Sequence, residues 1–223
     1  MGKFIELTAS DGHKLAAYVA QPASKPRGGV VVIPEIFGVN SHIKQTTDGY
    51  AADGYLAVSP AMFDRAQRNY DTGYSQPEIQ AGVAIMQKLD PKNSIMDVQA
   101  AIGEAAKAGK VGIVGYCFGG TISWLAAARA SGLACSVPYY GGGMHGLINE
   151  KPKVPVMCNF GEQDQSPTLA QAREIAAKHP EITAHFYAGA GHGFNCDQRG
   201  SWNAEAAKLA RSRTIDFFRK HVG

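Results

Sequence analysis

Val111-Gly-Ile-Val-Gly-Tyr-Cys-Phe-Gly-Gly120 carries the strongest structural signal in the chain. An apolar run, Lys110–Val114, leads into Gly115-Tyr116-Cys117-Phe118-Gly119, and a helix-like segment, Phe118–Ala130, follows. The pattern predicts a strand, a sharp turn and a helix with a thiol at the corner, which is the layout of a nucleophile elbow. Glycine two residues either side of the thiol answers crowding, because larger side chains there would meet the preceding strand or the following helix. The corner lies at a helix N-terminus, where free N–H groups and the helix dipole favour an anion. A thiol so placed ionises more readily, and the thiolate is the reactive form. A free cysteine is also a common small core residue. The strand before Cys117 and the helix after it weigh for a nucleophile.

The same region runs from Val111 to Ala128 without a charge, 18 residues, the lower edge of a membrane span. Gly112, Gly115, Gly119 and Gly120 suit a buried strand and tight turn far better than a membrane helix.

Outward from the elbow, strands and helices alternate. Strand-like runs are Phe4–Thr8, Leu15–Ala20, Gly29–Ile33, Tyr55–Ser59, Ala134–Tyr139, Val154–Phe160 and Thr183–Tyr187. Gly29–Ile33 is β-branched without alternation, as a strand buried on both faces reads. Helical patterns cover about 41–53, 78–89, 94–108, 167–178 and 203–220, with Asp90-Pro91 separating the second and third. Residues 61–77 are polar, aromatic and weakly periodic, and read as a long functional or capping loop. The alternation predicts one α/β domain over residues 1–223, with a mostly parallel sheet of about eight strands and helices on both faces.

A nucleophile needs a base and a group to orient it. His145, His179, His185, His192 and His221 follow Cys117. His192 lies in Ala188-Gly-Ala-Gly-His-Gly-Phe194, a glycine-rich loop just after a strand, where α/β sheets bind ligands. His185 falls inside a strand, His179 and His221 end helices, and His145 is too near Cys117 for the usual order of nucleophile, acid and histidine. The acid is expected after the strand between them, in Gly161-Glu162-Gln163-Asp164. Glu162 and Asp164 are both candidates, and Asp164 is preferred at the loop's end. Ile33-Pro34-Glu35-Ile36-Phe37-Gly38 directly follows the buried strand. Such a loop supplies one amide of an oxyanion hole and the residue after the nucleophile supplies the other, which selects Ile36 and Phe118. Glu35 then places an acid beside a thiol.

Composition excludes several function classes. With 22 Lys plus Arg, 19 Asp plus Glu and 45% hydrophobic residues, the chain is neither disordered nor a dedicated nucleic-acid binder. Lys208, Arg211, Arg213, Arg219 and Lys220 in the last helix read as a solvated face. Cys117, Cys135, Cys158 and Cys196 form no CxxC pair or Cys/His ladder, so the spacing signals no metal site. The opening MGKFIELTASDG lacks the apolar stretch of a signal peptide, and a cytoplasmic location is expected.

PEIFG at 34–38, GYCFGG at 115–120, GEQD at 161–164 and AGHGF at 190–194, in this order, resemble the dienelactone hydrolase family of α/β-hydrolases over nearly the whole chain. The resemblance implies the α/β-hydrolase fold and a Cys117–His192–Asp164 triad. It also implies a resting thiol paired with Glu35, which substrate binding displaces to help form the thiolate. The thiolate would attack a small lactone or enol ester to give a Cys117 thioester. Arg65 and Tyr140 fall at substrate-contact positions of the family. A second family arginine falls on Cys196 and a family serine on Gly193, with Arg199 close but offset. No cofactor or metal is implied, and the expected partner is a small ester or lactone, with the chain a monomer or small homo-oligomer. The other readings are a broad small-ester carboxylesterase and a redox-responsive thiol protein without turnover.

Overall fold

The computed structural model describes residues 2–223. Eight strands, β1 (Lys3–Thr8), β2 (Lys14–Ala20), β3 (Gly29–Ile33), β4 (Leu56–Pro60), β5 (Val111–Tyr116), β6 (Leu133–Tyr139), β7 (Met157–Gly161) and β8 (Thr183–Tyr187), form one sheet. Their spatial order is β1-β2-β4-β3-β5-β6-β7-β8. β1 and β2 pair antiparallel, as do β2 and β4, and every pair from β4 onward is parallel. β3 and β5 lie side by side at the centre, buried along their whole length. Apolar residues without alternation are what a strand covered on both faces requires.

The covering helices are α1 (Ser41–Ala52), α2 (Gln76–Met86), α3 (Pro91–Ala105), α4 (Phe118–Arg129), α5 (Leu169–Lys178) and α6 (Ala204–His221). On one face Ile43, Tyr50 and Ala51 of α1 and Ala210, Ile215 and Phe218 of α6 pack against Val30, Val32, Val114 and Val137. On the other, Val98, Ala101 and Ile102 of α3 and Ile122 and Ala126 of α4 pack against Val31, Ile33, Val58 and Ile113. The uncharged run that begins at Val111 is thus a central strand followed by a buried helix. Among the described residues, no helix is long and apolar enough to cross a membrane.

Helix starts follow local capping chemistry. Asn40 accepts from the Ile43 amide at the head of α1. Asp90 accepts from Lys92 and Asn93, with Pro91 in the first turn, which is why α3 begins earlier than periodicity alone suggests. A capping box between Ser75 and Glu78 likewise opens α2 at Gln76. The strand expected at Val154 begins instead at Met157, because Pro155 has no N–H to give to a ladder.

The stretch before α2, expected as a functional or capping loop, is tied down along its length. Met62 and Phe63 are buried, Asp71 bridges to Gly38, and the Thr72 amide donates to the Phe37 carbonyl at 3.1 Å. These contacts bind the segment to the loop after β3, and α2 follows it.

Candidate active site

The C-terminal ends of β3, β5, β7 and β8 converge on a cavity of about 400 Å³. Cys117 occupies the corner between β5 and α4 with φ 56° and ψ −114°, a strained backbone for a residue with a side chain. The corner closes because residue 115 is glycine: a Cβ there would lie 1.9 Å from the Gly119 carbonyl oxygen. The Cys117 amide is spent on the Tyr139 carbonyl at 3.1 Å, which fixes the corner to β6. Phe118 begins α4, so its amide belongs to the set a helix leaves unpaired at its start. Ile36 and Phe118 both line the cavity with Cys117.

Two loops are stitched together beside the thiol. The Glu162 amide donates to the Tyr187 carbonyl at 3.0 Å, and the Gln163 amide to the Ala190 carbonyl at 2.9 Å. This lacing brings the turn after β7 against the turn after β8. His192 Nδ1 then lies 3.0 Å from Oδ2 and 3.2 Å from Oδ1 of Asp164. Asp164 is 3% exposed, and the Ser166 amide donates to its Oδ1 at 2.7 Å. Of the two acidic candidates, the geometry brings Asp164 to His192. Burial works against a charge on His192, but Cys117 and Asp164 outweigh it and push the imidazole up to about 11. The two neighbours thus favour the protonated form of the ring.

Glu35 is buried, 1% exposed, on the loop after β3. Its Oε1 accepts from Arg199 at 3.0 Å, while the Cys117 thiol faces His192. The resting pairing of thiol with glutamate expected from the resemblance is thus replaced by a glutamate–guanidinium pair. Arg199 lines the cavity and also lies against the rings of Phe37 and Tyr74, at 5.5 and 5.8 Å from their centroids. Position by position, the arginine expected at residue 196 is a cysteine. Successive turns, Cys196 amide to Gly193 carbonyl and Arg199 amide to Cys196 carbonyl, carry a guanidinium back to the cavity from residue 199. Gly193 makes the room: its φ is +77°, and a Cβ there would lie 2.5 Å from an Arg199 nitrogen. The proximity of Arg199 in sequence was the available signal, and the turn geometry that aims it was not readable.

The structure does not bring Arg65 to the cavity. Its Nε and one terminal nitrogen each donate to Asp97 at 2.8 Å, and the guanidinium also reaches both oxygens of Asp11. Asp97 is 1% exposed on α3, so Arg65 neutralises a buried carboxylate and pins the β1–β2 turn to that helix. The expected substrate contact at Arg65 is corrected by that commitment of its donors. Tyr140 is fully buried behind the site, with φ 36° and its ring edge-on to His192 at 5.2 Å. It supports the imidazole and does not line the cavity. The wall that sequence reading missed is α2, whose Ile79, Val83 and Met86 line the cavity with Cys117.

A thiol at a strand-to-helix corner, with an imidazole–carboxylate pair on neighbouring strand ends of a mostly parallel sheet, marks an α/β-hydrolase. The model of the dienelactone hydrolase family matches residues 15–222, and the chain belongs to that family. It is 32% identical over 223 residues to a carboxymethylenebutenolidase of Pseudomonas putida, covering 96% of this chain and 94% of that one. It is 30% identical over 225 residues to carboxymethylenebutenolidase 1 of Cupriavidus pinatubonensis, covering 95% and 94%. A solved structure of a dienelactone hydrolase candidate from Klebsiella pneumoniae superposes with a TM-score of 0.84 at 25% identity, over 99% of both chains.

Proposed function

We propose that this hydrolase cleaves small lactones or activated esters by acyl transfer through Cys117. The observation that carries the reading is the position of His192, between the Asp164 carboxylate and the Cys117 thiol at the cavity wall. The thiolate attacks the carbonyl carbon, and the carbonyl electrons move to oxygen, where the Ile36 and Phe118 amides stabilise the charge. Collapse restores the carbonyl and breaks the bond to the leaving oxygen, which takes the His192 proton. The product so far is a Cys117 thioester. Water then attacks this thioester while neutral His192 accepts its proton, and the thiolate leaves. Asp164 holds the imidazole in register through both halves. Glu35 and Arg199 sit at the cavity edge as a buried pair whose exchange accompanies substrate entry.

A second reading, a small-ester carboxylesterase of broad range, is favoured by the apolar face of α2 and by the commitment of Arg65 elsewhere. Among the described residues Arg199 is the one Arg or Lys that lines the cavity, and Glu35 occupies it. Steady-state hydrolysis of a neutral aryl ester and a carboxylate-bearing lactone, by wild type and Cys117→Ala, tests both. Turnover that depends on Cys117 supports acyl transfer, and preference for the neutral ester supports the second reading. Equal activity in Cys117→Ala overturns both.

A further inference from the structure

Glu35 after β3, His42 in the first turn of α1, and Cys196 in the loop before α6 converge although they are far apart in sequence. Each offers one ligand atom, these atoms lie within 4.8 Å of one another, and all three residues are buried. Two of the three carry a buried polar atom with no hydrogen-bond partner, Oε2 of Glu35 and Nε2 of His42. The residues are 1% and 4% exposed, so water does not make up the deficit at the surface. An unmet buried polar group costs about 1–3 kcal/mol, and two on residues of one such cluster call for a ligand.

The outer atoms of the same groups are already held. Glu35 Oε1 accepts from Arg199 at 3.0 Å, and His42 Nδ1 lies 3.3 Å from the Asp197 carboxylate. The Gln198 amide points at the Cys196 sulfur, and Tyr74 neighbours it. An imidazole held through one nitrogen by a carboxylate, with the other nitrogen free, is the arrangement that orients histidine toward a metal. Sulfur, imidazole nitrogen and carboxylate oxygen together suit zinc, not magnesium or calcium. Zinc bond lengths of about 2.0–2.3 Å put such ligands roughly 3.3–3.6 Å apart, within reach of small side-chain rotations here.

We propose that Glu35, His42 and Cys196 form a binding site for a zinc-type divalent cation, with solvent as fourth ligand. Burial pushes the Cys196 thiol up to about 11, so the ion binds by releasing its proton to solvent; the thiolate, Glu35 and Asp197 then supply three negative charges against the ion's two and that of Arg199. His42 and Asp197, with Gln45 and Asn195, border a second cavity of about 400 Å³, which gives the cluster its route to solvent. A bound ion takes the free oxygen of Glu35 and so fixes the glutamate on Arg199.

The test is spectrophotometric titration with Co²⁺ in the Cys117→Ala background, which removes the one partly exposed thiol. The expected result is one equivalent of Co²⁺ per chain, a thiolate-to-cobalt charge-transfer band, and displacement by Zn²⁺. Adding Cys196→Ser abolishes the band. Adding Asp197→Asn, at an exposed residue whose loss spares the core, weakens affinity about 10–100-fold. Absence of the band in Cys117→Ala, as a trapped water would give, overturns the site. So does a band that survives Cys196→Ser, or an affinity that Asp197→Asn leaves unmoved.

Discussion

The Arg199 guanidinium lies 3.0 Å from the Glu35 carboxylate, with side chains 16% and 1% exposed. Each charge is out of water, so the pair contributes chiefly by neutralising what either alone would cost. Arg199→Met is expected to destabilise the protein by about 3 kcal/mol, because it strands a buried carboxylate. Adding Glu35→Gln should recover part of the loss. Urea unfolding of the two variants checks this, and equal stabilities would contradict the coupling.

Gly193 holds φ +77° and leaves the space that Arg199 fills, whereas Gly12 holds φ +83° with nothing near its absent Cβ. Alanine at either position bears the left-handed strain, but only at 193 must it also displace a guanidinium. Gly193→Ala is expected to lose at least about 1 kcal/mol more than Gly12→Ala. It should also lower kcat/KM, while Gly12→Ala leaves it near wild type. Equal losses in stability would mean that Arg199 yields freely.

His192 is held far above its ordinary value of 6.5: burial opposes the charge, and Cys117 and Asp164 overcome that opposition. Cys117 is one of the two neighbours that raise the imidazole, so removing its sulfur must lower the pKa. In Cys117→Ser the ring should titrate well below its wild-type position by NMR, with Asp164 left to hold it. A titration curve that stays put would show that sulfur and ring do not share charge.

Arg65 donates to the buried Asp97 and to Asp11. Arg65→Ala should therefore cost on the order of 3 kcal/mol in unfolding free energy, the consequence of leaving Asp97 unpaired. KM for carboxylate-bearing and neutral substrates should be unchanged. A selective rise in KM for the carboxylate substrate would return Arg65 to the site.

Much of the architecture was legible because local chemistry and tertiary position agree. β3 has no polar face to show, β5 ends in a corner that glycines close, and Asp90-Pro91 caps and opens α3. Cys117, Asp164 and His192 were each visible from the strand end that presents them, and the cross-loop bonds at Glu162 and Gln163 then set which acid meets the ring. What escaped depends on contacts between distant segments. The partners of Arg65 lie 32 and 54 residues away. The turns from Gly193 to Arg199 redirect a side chain by three positions, which a position-by-position reading misses. Glu35, His42 and Cys196 have no common spacing, so no sequence pattern announces their convergence.

His192→Ala should reduce turnover at least about 100-fold if the imidazole moves the proton in both half-reactions. A loss below tenfold would place the base elsewhere.

The most direct measurement is the intact mass of the protein, quenched during turnover of a small activated ester, followed by peptide mapping. The account predicts an acyl group on the peptide carrying Cys117, absent in Cys117→Ala together with the activity. Sustained turnover with Cys117 unmodified, and undiminished in Cys117→Ala, would contradict it.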